Sequence, residues 1–326
     1  MDKDTSIIFN FFKSDCTSEF CRHFSIAEKD LTATLDKYQS AHDISDIINE
    51  LEINLETPID NVKVTWHHLT TTIDGDLAPF QQYGFLSLCD LLTNDTPLRQ
   101  FLEQHLIHFD IAKASLIYNG PNKRSFSIKL YDIDKLLSDN LDFSNLNTID
   151  FNANNHEREI YEQINYLYSR LHEDSTDYGG IEGFLWCPPH LNITDYSCIE
   201  TCPEFLKAVH DLMQYIDPTR VDLLEDWTKR TKSVLLEVVT PLAYTKLDGG
   251  DDFLPNLADY LSNEWANADF DLYPDLLDEF KASLSLNCLH NFYLLATFLQ
   301  RHYPDDRVAC IINRHYHIPC ESIRVI

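Results

Sequence analysis

Apolar positions recur at two different periods along this chain, and the switch between them divides it. Over residues 1–60 the spacing is helical: Leu31, Leu35, Tyr38, Ile44, Ile47, Ile48 and Leu51 recur on one face, and Ile7, Ile8, Phe9, Phe11 and Phe12 form an apolar cluster. These residues predict short amphipathic helices, ending at Thr57-Pro58, where the residue before proline is pushed toward extended backbone. From Asn61 the period becomes two. In residues 64–72 Val64, Trp66 and His68 point to one side of a strand, and Thr65, His67 and Leu69 to the other.

Further along, the pattern predicts a helix over residues 74–82, a glycine turn at Gly84 and a helix over 88–105. Residues 117–130 predict a hairpin with Asn119-Gly120 as its turn signal. Helices are predicted over 156–171, 205–215 and 223–231, a buried strand over 233–239, and closing strands over 307–312 and 318–326. Residues 284–299 form the most apolar helical run. Asn287, His290, Asn291 and Thr297 interrupt it, which predicts a buried helix and not a membrane span. The reading gives two regions: a helical N-terminal cap over 1–60 and a main domain over 61–326.

Composition narrows the partners. The formal net charge of −28 argues against extensive phosphate contact, because tight nucleic-acid binders use clustered Lys and Arg. The basic runs here, at residues 122–124 and 229–232, are short. Between Leu247 and Phe280 stand ten acids (Asp248, Asp251, Asp252, Asp259, Glu264, Asp269, Asp271, Asp275, Asp278 and Glu279) and no Lys or Arg. That window reads either as a solvated face or as a docking surface for a basic partner. No signal-peptide pattern opens the chain and no long apolar run follows, so the expectation is a cytoplasmic protein that does not engage a membrane.

Nine cysteines at irregular spacing do not read as a secreted disulfide framework. Cys187, His190, Cys198 and Cys202 are one candidate zinc set, with Pro188 and Pro189 inside its first pair; ordinary thiols are the expectation. Glycine is scarce, and Gly179, Gly180 and Gly183 fall together beside Glu182. Such a cluster marks either close approach of backbone to a ligand or a loop entering a strand. Glu237, in the apolar strand, needs a partner if buried, because an unpaired carboxylate there is costly.

The strand carrying His68-Leu69-Thr70, the helix after it, Gly84-Phe85-Leu86, and the terminal residues 318–326 (Ile-Pro-Cys-Glu-Ser-Ile-Arg-Val-Ile) together resemble the ADP-ribosyltransferase superfamily. Within it the similarity is to the diphtheria-toxin-like and polymerase-like branch, and residues 201–206 are also reminiscent of it. The resemblance covers 61–326 through scattered short motifs. It departs from the family in lacking His-Gly-Thr, since His67 and Leu69 flank His68.

What the resemblance implies is an α+β fold with a split mixed β-sheet core of ADP-ribosyltransferase type, a helical N-terminal cap and helical insertions. It also implies consumption of NAD as substrate, in a glycosyl-transfer reaction of the kind used by toxins and phage-defence effectors. Glu321 and His68 are then the catalytic residues, with a tyrosine beside them: Tyr178 or Tyr83, with Tyr131 weaker. His67, Leu69, Thr70, Tyr83 and Gly84 are the NAD-binding candidates; His67 and His68 both stay open as the family histidine, and Glu182 is an alternative acid. No metal is expected. The acceptor is a protein or a nucleic acid, and an antitoxin or regulatory protein is an expected partner. The alternative is a non-enzymatic acidic interaction or immunity protein that binds a basic partner.

Overall fold

In the computed structural model the described residues are 6–38, 40–113, 115–120, 125–129, 155–171, 180–186, 201–217, 222–247, 251–261, 265, 268, 270, 274–303, 308–313 and 316–326. They form an α+β protein with twelve α-helices. In chain order these are α1 (Thr17–Phe24), α2 (Glu28–Lys37), α3 (Ile44–Glu50), α4 (Ala78–Tyr83), α5 (Leu88–Thr93), α6 (Pro97–Gln104), α7 (Asn155–Leu171), α8 (Glu204–Ile216), α9 (Leu223–Arg230), α10 (Leu254–Leu261), α11 (Pro274–Ser283) and α12 (Leu286–His302). The strands are β1 (Ile7–Phe9), β2 (Val62–Ile73), β3 (Ile107–Asp110), β4 (Ser115–Asn119), β5 (Ser125–Lys129), β6 (Ile181–Trp186), β7 (Thr231–Pro241), β8 (Thr245–Leu247), β9 (Val308–Ile312) and β10 (Ile323–Val325).

One sheet of seven strands has the order β10-β7-β2-β6-β9-β8, with β1 also paired to β2. It is mixed: β1 runs parallel to β2, whereas β6 lies antiparallel to β2 and β8 antiparallel to β9. A separate antiparallel sheet has the order β3-β4-β5. The hairpin expected at Asn119-Gly120 is there, with Asn119 opposite Ser125.

The chain divides into two compact units. The first comprises Met1–His68, Glu182–Asp195 and Glu237–Asn313; the second comprises Leu69–Ile181, Tyr196–Leu236 and Arg314–Ile326. The first unit surrounds α12, buried along almost its whole length from Cys288 to Leu299. One of its polar positions, Asn291, has partners inside the fold. Asn291 accepts a hydrogen bond from His23 Nε2 (2.6 Å) and donates to the carbonyls of Leu55 (2.9 Å) and Thr57 (2.7 Å). The core of the second unit is formed by α5–α9 with β3 and β4, and includes Phe101, Ile107, Leu167, Leu206 and Trp227. There the buried Asp217 accepts a hydrogen bond from Tyr118 Oη at 2.9 Å.

Four local expectations are corrected. Residues 7–9 form a strand and no helix, because their backbone pairs in parallel with β2 from Val62 to Val64. The helix expected over 88–105 is two helices. Thr96 is held extended ahead of Pro97 (φ −111°, ψ 158°) and caps α6 by accepting from the Arg99 N–H at 3.2 Å. The helix expected over 74–82 starts later, since Asp74 and Gly75 take positive φ (54° and 78°) and form a turn. The strand expected over 318–326 shrinks to β10, because Pro319 leads into a 3₁₀ turn closed by Ser322 N–H to Pro319 O at 3.0 Å.

His290, on α12, is buried, and its Nδ1 makes no hydrogen bond among the described residues. Burial alone pulls its pKa down to about 4, and burial also lowers those of His23 and His67. The folded chain keeps these rings neutral, whereas the unfolded chain takes up protons near pH ~6.5. Stability is therefore full above that pH and falls as pH drops toward the folded values. For His290 the loss is on the order of 3 kcal/mol by about pH 4. Urea unfolding across pH 4–8 should show this slope, and His290→Leu should make it shallower.

Candidate functional site

The centre of β2 is buried on both faces, from Val64 through His67. Trp66 is fully buried and donates its indole N–H to Thr240 Oγ1 (3.0 Å), which lies 2.8 Å from Thr245 Oγ1. Gly183 makes room for it: a Cβ there would lie 2.2 Å from Trp66 Cε3 and 2.9 Å from the His67 carbonyl oxygen. The close approach that Gly183 permits is thus to a tryptophan of its own fold.

This contact settles the two histidines differently. His68 shares the Trp66 face, as alternation requires, with the rings edge to face at 6.3 Å and 87°. Its Nδ1 lies 2.7 Å from the carbonyl oxygen of Glu182. A carbonyl only accepts, so Nδ1 carries a proton. His67 turns to the other face. Phe12 covers its ring at 3.8 Å between centroids, and its Nε2 lies 3.7 Å from Glu237 Oε2. Glu237 is buried and hydrogen-bonded by Lys13 Nζ. Burial pushes the Glu237 carboxyl upward, but the hydrogen bond and charge of Lys13, with the nearby imidazole, outweigh it and hold the group below the usual carboxylate range.

In the second unit Leu69 is buried and Thr70 half-buried, and the neighbouring Thr71 Oγ1 accepts from the Trp227 indole at 2.9 Å. Tyr83 is half-buried at the end of α4, and Gly84 caps that helix with φ +70° and its N–H on Phe80 O at 3.0 Å. The next N–H, of Phe85, binds Ile318 O at 3.0 Å, and α4 packs against the 3₁₀ turn Cys320–Ser322. Two separate sequence motifs are thereby joined: the Tyr83-Gly84 turn meets the segment that bears Glu321. The Glu321 side chain is exposed, with its Oε2 3.5 Å from Cys320 Sγ.

His68 belongs to the first unit and Glu321 to the second. The side chain of Glu182 is exposed, and its backbone carbonyl is what serves His68. Tyr178, Tyr131, Cys187, His190 and Cys198 lie outside the described residues, while Cys202 is buried in the apolar core of the second unit. Among the described residues no group of three or more His, Cys, Asp or Glu side chains is placed to hold a metal ion. A groove of about 420 Å³ beside α6 and β3 contains none of the candidate residues. Its Arg99 is already engaged by Glu103 Oε1 (2.7 Å) and Thr93 O (2.6 Å), so the groove offers no unsatisfied cation.

Sequence reading missed the His67–Glu237–Lys13 cluster. The signal was Glu237, an acid in an apolar strand that demanded a partner; Lys13 could not be named because it lies 224 positions away. No protein-family model, no characterised protein and no solved structure matches this chain.

Gly84→Ala should destabilise the second unit by about 2 kcal/mol or more, combining positive-φ strain with overpacking. The added Cβ would lie 2.1 Å from Ile318 O. Chemical denaturation should register this loss, whereas Tyr83→Phe should change stability by less than about 0.5 kcal/mol.

Proposed function

We propose that this chain is an NAD-dependent ADP-ribosyltransferase, a toxin or defence effector that modifies a protein or nucleic acid. The observation that supports this most is the Phe85–Ile318 pairing, which sets the Tyr83-Gly84 turn against the Glu321 turn. The fixed orientation of His68 on β2 is consistent with it.

In this reading the bond between the ribose C1′ and nicotinamide breaks, nicotinamide leaves with the electron pair, and the acceptor nucleophile forms the new bond to C1′. Positive charge develops on the ribose, as in glycoside hydrolysis. Glu321 supplies a carboxylate for that charge and takes the acceptor proton, so its contribution is preorganised electrostatics. His68, with Nδ1 held by the Glu182 carbonyl, is the residue that the resemblance assigns to the adenosine ribose. Thr70, Leu69 and Gly84 offer backbone groups to the nicotinamide amide, and Tyr83 or Tyr178 an aromatic face to its ring.

A second reading is favoured by the charge distribution. Asp252, Asp259 and Glu279 are exposed in a stretch with no Lys or Arg, so an acidic interaction or immunity protein would present them to a basic partner. Asp251 is not part of such a face, because Lys281 Nζ holds it at 2.8 Å.

Incubation with labelled NAD and protein, RNA or DNA acceptors tests the enzyme reading. Label transfer is expected, falling about 100-fold or more in Glu321→Gln. A smaller loss is expected in His68→Ala. Transfer that survives both substitutions would refute the site. Absence of any transfer, together with salt-sensitive capture of a basic protein, would select the second reading.

A further inference from the structure

Glu237 is a buried charged group that the NAD reading leaves unused. It lies in β7 between Leu236 and Val238, both fully buried, and its own side chain is 5% exposed. A carboxylate in such a place needs a compensating charge. His67 does not supply it, because burial holds the imidazole below its usual pKa and the positive charge of Lys13 adds to that effect. Lys13 does supply it, while its own side chain is 61% exposed. The buried carboxylate is thus balanced by a side chain that lies largely in solvent.

The turn that carries Lys13 has a fixed end and a lighter one. Phe11 is fully buried, and its carbonyl accepts a hydrogen bond from Arg301 Nε at 3.2 Å. The N–H groups of Lys13 and Ser14 close on Asn10 O, each at 3.1 Å. Beyond Phe11, the half-buried Phe12 lies over His67, and Lys13 over Glu237.

We propose that His67 and Glu237 form a recognition site for a primary ammonium group, the lysine side chain of a basic protein partner, and that Lys13 is its built-in occupant. The chemistry matches that ligand. The site has one carboxylate, an imidazole whose Nε2 makes no hydrogen bond among the described residues, and the adjacent phenyl ring of Phe12. A compact ammonium with three donors suits this set, and an aromatic neighbour adds cation–π attraction. The net charge of −28 draws basic partners toward the surface. The partner's lysine exchanges with Lys13, so Lys13 acts as a self-ligand that keeps the site occupied until then. This inference does not depend on NAD chemistry, and a negative label-transfer result leaves it standing.

The test uses Lys13→Met, which keeps the apolar stem and removes the charge. The variant should melt below the wild type, and n-butylammonium chloride should raise its Tm by at least about 3 °C over matched NaCl. No such rise should occur in the Lys13→Met/Glu237→Gln double variant. A Lys13→Met protein as stable as the wild type with no amine response would overturn the proposal, as would an equal rise in the double variant. If Lys13→Met does not fold, NMR of the wild type decides. A lysine-containing basic peptide should shift the Phe12 and His67 ring signals saturably, and an arginine-only peptide of equal charge should do so less. Equal shifts with both peptides, or none, would refute a lysine site.

Discussion

The contact between Trp66 and Gly183 is the constraint on which the rest of the first unit's sheet depends. An indole fully buried in the middle of a strand needs a neighbouring strand with no side chain at that point, and Gly183 meets the need. With that position fixed, His67 stands opposite Phe184, and the faces of β2 are no longer interchangeable. One histidine turns to the Glu182 carbonyl and the other to Glu237. A one-residue slip would exchange the two environments and move Gly183 away from Trp66.

The same rule governs the polar groups carried inside. Asn291, Asp217 and the Thr240–Thr245 pair each have their hydrogen-bonding capacity used by the fold. Glu237 differs, because its charge is balanced by a lysine that stays largely in solvent. A buried carboxylate whose countercharge comes from a largely exposed side chain is a place where a soluble cation can compete. That is why the Lys13 contact reads as recognition, where an ordinary surface ion pair would join two exposed side chains of small energetic consequence.

Much of the secondary structure was legible in the sequence, and the misses have local causes. The hairpin at Asn119-Gly120, β7, β9 and the buried helix α12 follow from turn chemistry and periodicity, which act over a few residues. Pro97 and Pro319 divided elements that apolar spacing alone ran together. Residues 7–9 were misread because a three-residue apolar run has no period of its own; its strand state comes from β2, more than fifty positions away. The glycine turn and the C-terminal glutamate segment were both visible, and their junction through Ile318 is a tertiary fact that no spacing encodes. Lys13 as the partner of Glu237 is another.

The two histidines of β2 carry the functional account, with His68 assigned to the nucleotide and His67 to the ammonium site. No helix among the described residues is long and apolar enough to cross a membrane. Titration of the wild-type protein with NAD, followed by NMR of assigned histidine ring signals, tests the division most directly. The account predicts a saturable shift of His68 while His67 keeps its position. A shift of His67 in place of His68, or no response from either ring, would contradict it.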